Sequence, residues 1–558
     1  MTEPSEPAET EDQRQQQAIE APPTSFKDIA LKIGPGLIIA ANIVGSGELI
    51  MSTKAGAEAG IALLWLILIG CVIKVFVQLE LGRFTISHGE TTLKALNRIP
   101  GPGIGRTNWV LVLWGIMMLS TVGQLGGIVG GVGQALALTI PITGDVQTAT
   151  RIPATQDIQD YSNWLQSLSE ADREAGATGL SQTASPDTVQ QLRRMVWIER
   201  DLKSLGDTGQ LLLQRVTDNE ELVDNEGQSL IPSTTVDDRI WVSIIGVLTA
   251  MLLFVGRYQM IERVSVILVV SFSLITIGNV VALQSTADYS VSADDIWQGL
   301  SFGLPDTDAA LFAALATLGI IGVGATELVS YPYWCLEKGY AKSTGPRQSN
   351  DAWKDRAAGW FKVMKVDAFA SMIIYTIATA AFYLMGVAVL HSDGRVPEGM
   401  RMVSTLAESY VPIFGSYARW LFLAGAIAVL YSTYLVANAG NARMVADFLN
   451  VAGLSSAEPD SDARRKMVTI FSVVLPLSCV IAYFLFPKPV ILVAISGITQ
   501  FLMLPVLGFC ALFFRFKVTD TRLRPTAAWD VLLVLSCLAM LTAGGYGAYA
   551  ALARFLSM

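Results

Sequence analysis

The chain has 558 residues, of which 52% are hydrophobic and only 16% charged, with a mean hydropathy of +0.47 and a formal net charge of −9. That balance excludes an ordinary soluble globular protein, and a net acidic chain offers no electrostatic footing for nucleic acid. Cys71, Cys335, Cys479, Cys510 and Cys537 fall in or beside apolar stretches without paired spacing, which excludes a disulfide framework or a zinc site, and His88 and His391 are too few for a histidine cluster.

Residues 1–33 are acidic and Gln-rich, carry Pro22 and Pro23, and lack the basic start and apolar core of a signal peptide. They read as a disordered cytoplasmic tail. A membrane span needs roughly 20 mostly apolar residues. Eleven such stretches follow, at about 34–58, 61–82, 107–139, 240–255, 263–283, 309–334, 364–391, 412–440, 467–487, 490–514 and 529–553. Three spans thus occupy 34–139, a polar insertion 140–239, and eight more 240–558.

Lysine and arginine collect in alternate loops, at 83–106, 256–263, 335–365, 441–466 and 515–524, whereas 284–308 has none and carries Asp288, Asp294, Asp295, Asp306 and Asp308. Basic loops are retained on the cytoplasmic side. The N-terminus is therefore expected inside and the C-terminus outside, in a membrane expected to be the bacterial cytoplasmic one. The insertion then lies outside. Up to Asp238 it carries 17 acidic against 7 basic residues, more than the whole net charge of the chain. Its helix-like runs, such as Val189 to Leu205, point to a small helical subdomain, which either concentrates cations near an entrance or is a solvated insertion with no part in transport.

An internal echo carries the most information. The first span runs Val44-Gly45-Ser46-Gly47-Glu48-Leu49 and the sixth Val323-Gly324-Ala325-Thr326-Glu327-Leu328, both V-G-x-x-E-L. Segments five spans apart have opposite orientation, the pattern of an inverted repeat of five plus five helices with span eleven added. In such repeats the first helix is broken near the bilayer midplane, because freed backbone groups and helix ends can face an ion there. Gly45, Ser46, Gly47, Gly322, Gly324 and Thr326 tolerate or satisfy non-helical backbone. Glu48 and Glu327 are carboxylates at membrane depth, where an unpaired charge is costly. Either the pair converges on a divalent cation such as Mg²⁺ or Mn²⁺, or each is structural, with Lys74 or Lys54 as its partner.

The segment from Gly34 to Gly56 resembles the first helix of the Nramp family of divalent metal transporters, with its G-P-G, its D-P-G-N and a later glycine. Gly324-Ala325-Thr326 resembles the G-A-T that opens that family's sixth-helix M-P-H motif. Leu63-Leu64-Trp65, Gln78, Arg83 and the stretch from Thr85 to Thr91 are similar to its second helix and following loop. The similarity covers most of the membrane part and excludes the tail and the insertion.

The resemblance implies an all-α, LeuT-like fold of eleven helices and alternating access to a divalent cation carried as substrate, with no resident cofactor. It also implies proton coupling through charges on the third and ninth helices. Aligned without gaps, however, the family's metal-binding aspartate, proline and asparagine fall on Gly45, Ser46 and Glu48, and its methionine, proline and histidine on Leu328, Val329 and Ser330. Loss of the soft thioether favours Mg²⁺ or Mn²⁺ over Fe²⁺. Trp109 to Leu138 and Val468 to Phe486 hold no ionisable charge, so the proton route is absent, as in a diverged magnesium-carrying branch of the family. The carbonyls of Gly45 and Ala325 and the side chains of Gln124, Asn438, Asn441 and Gln500 are candidate supporting ligands.

Two other readings use the same fold: a sodium-coupled carrier of an amino acid or other small organic solute, which the glutamates would repel if anionic, and a non-transporting membrane scaffold. Neither H-E-x-x-H, G-x-S-x-G nor a phosphate-loop pattern occurs, so no enzyme is expected. Lipid and divalent ions are the implied partners, and nothing in the sequence speaks to oligomeric state.

Overall fold

The computed structural model describes residues 19–183, 186–223, 230, 235–255, 258–304, 308–455 and 461–557. Among them, each of the eleven predicted spans holds helix. Span 2 (Leu64–His88), span 3 (Trp109–Thr139), span 4 (Asp237–Val255), span 5 (Tyr258–Leu283), span 7 (Asp351–Met385), span 8 (Ala418–Val451), span 9 (Asp462–Leu485), span 10 (Pro489–Phe513) and span 11 (Ala527–Ser557) are single helices. Spans 1 and 6 are each broken in two. Nine described segments are long and apolar enough to cross a membrane by themselves. The other two are accounted for by the break in span 1, whose second half runs on toward span 2, and by span 5, which contributes the shorter apolar stretch Val269–Leu283.

Local chemistry explains the helix ends. Asn108 and Asn350 cap spans 3 and 7 by accepting from the backbone N–H groups of Leu111 and Trp353, and Gly89 ends span 2 in the left-handed region at φ 67°. The Asn350 cap starts span 7 well before residue 364, where hydropathy placed it. Its first turns carry Lys354, Asp355, Arg356 and Lys362, and so project beyond the apolar layer.

The tail also departs from expectation. Ser25 caps a helix at Phe26–Lys32 whose Ile29 is buried, so the last part of 1–33 is ordered, while residues 1–18 lie outside the described ones.

Four of the five basic loops meet on one face. Arg347 pairs with Asp520 at 2.9 Å, Arg83 donates to the carbonyl of Leu523, and Arg106 packs against Gly453. The insertion lies on the opposite face. Its helices Thr155–Ser167, Pro186–Ser204 and Asp207–Thr217 close a separate small core around Ile158, Trp197, Ile198 and Leu212. It is tied to the bundle by Arg193–Asp288 at 2.9 Å and Arg401–Asp201 at 2.8 Å.

Small residues let the broken spans approach their neighbours, as expected where lipid supplies no hydrophobic drive. A Cβ on Gly319 would lie 1.9 Å from the carbonyl oxygen of Gly497, and one on Gly56 2.3 Å from that of Tyr383. Backbone cannot swing aside as a side chain can. Gly319→Ala is therefore expected to separate spans 6 and 10 and destabilise the bundle by about 1–3 kcal/mol or more, read as a lower thermal midpoint in detergent; an unchanged midpoint would contradict this packing.

Candidate functional site

The two breaks are the centre of the molecule. In span 1, helix Pro35–Ile43 stops at Val44 and Gly45, and the chain resumes as a π-helical stretch, Ser46–Ser52, followed by helix Thr53–Ala59. Gly45 is required by contact, because a Cβ there would lie 1.9 Å from Oγ1 of Thr433. In span 6, helix Asp308–Ile320 stops, Gly322 takes φ +56°, and helix Ala325–Glu337 begins after Gly324. A side chain at Gly322 would be strained whatever the space around it.

Broken helices leave orphan carbonyls and N–H groups that lipid cannot satisfy. Lys74 of span 2 meets the first need, its ammonium donating to the carbonyls of Leu318 and Ile321 at 2.5 and 2.7 Å. A cation at a helix C-terminus also complements the helix dipole. Gln500 of span 10 meets the second. Its Oε1 accepts from the Thr326 N–H at 3.2 Å, and its Nε2 donates to Oε1 of Gln124 at 2.7 Å. Lys54 is engaged elsewhere, with Glu58 at 2.7 Å and Glu398 at 2.8 Å. Neither lysine makes a direct ion pair with Glu48 or Glu327 among the described residues.

The two glutamates are used reciprocally. Oε1 of Glu48, on span 1, accepts from the Gly322 N–H in the span 6 break at 3.2 Å and from Thr379 of span 7 at 3.0 Å. Oε1 of Glu327, on span 6, accepts from Nδ2 of Asn42 of span 1 at 2.7 Å. Each repeat thus reaches into the break of the other. Glu327 stands in the first turn of its half-helix and folds back over Gly324, where a Cβ would lie 2.5 Å from Oε2. A carboxylate there is favoured by the positive helix end.

A narrow cavity lies beside the breaks, lined by Asn42, Gly47, Thr121, Gln124, Thr326, Glu327 and Thr433, with room for about one water-sized particle. Glu327 lines it and Glu48 does not, the two carboxylates being held by different partners. Glu48 is turned by its bonds to Gly322 and Thr379. The two carboxylates and the Lys74 amine stand within electrostatic reach of one another. Among the described residues no group of three or more His, Cys, Asp or Glu side chains gathers. The lining donors are one carboxylate, amides and hydroxyls, a hard-oxygen set without sulfur or imidazole.

Of the supporting residues, Gln124 lines the cavity and Gln500 buttresses it. Asn438 is turned away, donating to the Tyr434 carbonyl at 2.8 Å and accepting from Cys479. Asn441 lies outside the cavity lining, its Nδ2 buried without a partner among the described residues. The Gly45 carbonyl accepts from the Leu49 N–H at 2.9 Å, so helical bonding engages the first backbone ligand expected. Ala325 opens the second half-helix of span 6 and its carbonyl is not part of the cavity lining. Ser46 and Gly47 begin the π-helical stretch, and a Cβ on Gly47 would lie 3.0 Å from the Ile320 carbonyl.

Asn42, Thr121, Thr379 and Thr433 were missed by the sequence reading. Asn42 has the plainest signal, a lone amide in an apolar run three residues before the break, and its Oδ1 is buried without a partner among the described residues. One oxygen of Glu48, Oε2, is in the same condition.

Comparisons with known proteins agree with this architecture. The variant manganese transporter of Eremococcus coleocola superposes with a TM-score of 0.55 at 14% identity, covering 94% of this chain and 88% of that one. The same transporter in complex with an aromatic bis-isothiourea compound gives 0.51 at 14% identity with the same coverage. At such identities the likeness concerns the fold, the LeuT-like inverted repeat of five plus five helices with an eleventh, in a multi-pass membrane protein. The metal transporter Nramp3 of Arabidopsis thaliana is 33% identical over 124 residues, 22% of this chain and 23% of the plant protein, so the match spans less than a quarter of that relative. The pattern of the family described as Natural resistance-associated macrophage protein-like, Nramp, matches residues 228–549, more than half of the chain, and the chain belongs to that family.

Proposed function

We propose that this protein carries a divalent metal cation across the membrane by alternating access, with Mg²⁺ or Mn²⁺ favoured over Fe²⁺ and without proton coupling through spans 3 and 9. The observation that carries the reading is the Glu327 cavity, where a carboxylate, the unpartnered Oδ1 of Asn42 and threonine hydroxyls meet at two helix breaks. Hard oxygens select hard cations, and the water-sized room suits an ion better than an organic solute. Membership of the Nramp family and the metal transporters among its relatives support the same cargo class. The described parts of spans 3 and 9 carry charge only where span 9 begins, at Asp462 to Lys466, outside the apolar stretch.

Basic loops mark the cytoplasmic side, so in this reading the N-terminus is inside and the insertion outside; the proposed host membrane is a bacterial cytoplasmic one. Glu327 and Asn42 hold the cation, and Glu48 contributes charge from the neighbouring position while pinning the span 6 break. Uptake into proteoliposomes tests this. Saturable Mg²⁺ or Mn²⁺ uptake is expected, with Fe²⁺ slower and no acidification of the lumen. Uptake of an amino acid driven by sodium, with no divalent uptake, would replace this reading by the organic-solute carrier.

A further inference from the structure

A second cavity opens on the face bearing the insertion, between the insertion helix Pro186–Ser204 and the segment joining spans 7 and 8. Arg151 from the insertion, Arg395 and Arg401 from the joining segment, and Arg419 at the start of span 8 line it, against only Asp201 and Glu408. Two positive charges are in excess, beneath an insertion that is itself strongly acidic. Arg401 pairs with Asp201 at 2.8 Å and Arg395 with Glu408 at 3.5 Å, yet the Nε of both arginines is buried without a partner among the described residues. Arg395 is 8% exposed. For Arg151 and Arg419 no carboxylate lies within ion-pair distance among the described residues.

The guanidinium groups of Arg395 and Arg401 are also held in place. Their central carbons stand 4.7 and 5.5 Å from the ring of Trp197, against which both pack. Like charges gathered on one ring repel, and buried N–H groups without acceptors are costly. Both conditions are relieved by an anion with several acceptor oxygens, and guanidinium forks match paired phosphate oxygens. We propose that this cavity binds a phosphate-type oxyanion, supplied either as a free ion or as a lipid headgroup. The site is independent of the cation cavity, since none of its lining residues is shared with it.

Calorimetry on the full chain, purified in detergent without phosphate and titrated with inorganic phosphate, tests the proposal. Saturable binding is expected, weakened at least about tenfold by Arg151→Gln with Arg419→Gln, exposed positions whose loss leaves the thermal midpoint unchanged. Arg395→Lys, which keeps a charge and removes the fork, is expected to weaken it about tenfold as well and serves should the double variant not fold. Retention of phosphate binding in phosphatidylglycerol nanodiscs assigns the site to the free ion, and its loss there alone assigns it to a headgroup. No binding in detergent, or equal affinity in wild type and variants, overturns the proposal.

Discussion

Glu327→Gln is expected to weaken Mg²⁺ or Mn²⁺ binding by about a hundredfold, roughly 3 kcal/mol, because the substitution removes the only carboxylate that lines the cavity. The amide is nearly the same size and still accepts from Nδ2 of Asn42, so folding should be little affected. Glu48→Gln provides the contrast. Its carboxylate lies outside the cavity lining and is held by Gly322 and Thr379, so binding should fall less than about tenfold, the loss of a neighbouring rather than a coordinating charge. Calorimetry on the two purified variants separates the cases. Equal, large losses would restore the converging dicarboxylate site, and undiminished binding in Glu327→Gln would remove the cation from this cavity.

Lys74→Met should be among the most destabilising substitutions in the membrane part. It deletes two charge-assisted hydrogen bonds to carbonyls at the end of the first half of span 6, in a place where neither water nor lipid can replace them. At about 1.5–3 kcal/mol for each such bond, a loss on the order of 3–5 kcal/mol is expected. Thermal unfolding in detergent would show a midpoint lowered by several degrees. The side chain is fully buried, and methionine fills similar volume, so the effect reads the lost donors rather than a void. A midpoint within a degree of wild type would mean that the broken helix end is satisfied in some other way.

The reach of each kind of information can be seen in particular residues. Spans 1 to 11 were legible because lipid imposes a length and an apolar composition on whatever crosses it, and both are properties of consecutive residues. The breaks were legible for a related reason. The echo of Val44 to Leu49 in Val323 to Leu328 records a repeated local geometry, and glycine is the residue that local geometry selects. Span 7 began earlier than expected because Asn350 caps a helix whose first turns are polar, and hydropathy does not register a helix outside the apolar layer.

What Glu48 and Glu327 face was not legible. Their matched positions in the repeats say that each stands near a break, but the direction of each side chain depends on contacts made by residues hundreds of positions away: Gly322 and Thr379 for Glu48, Asn42 for Glu327. The same holds for Lys74, a candidate partner for a glutamate by proximity in membrane depth, which instead closes the end of a helix. Asn438 and Gln500 look alike as lone amides in apolar spans, yet one is spent on its own helix and on Cys479 while the other supports the cavity. Solvent and backbone therefore set the class, the spans and the breaks from local sequence alone. Which polar groups share a cavity was decided by the packing of one repeat against the other, because hydrogen-bond direction and charge proximity are properties of assembled helices.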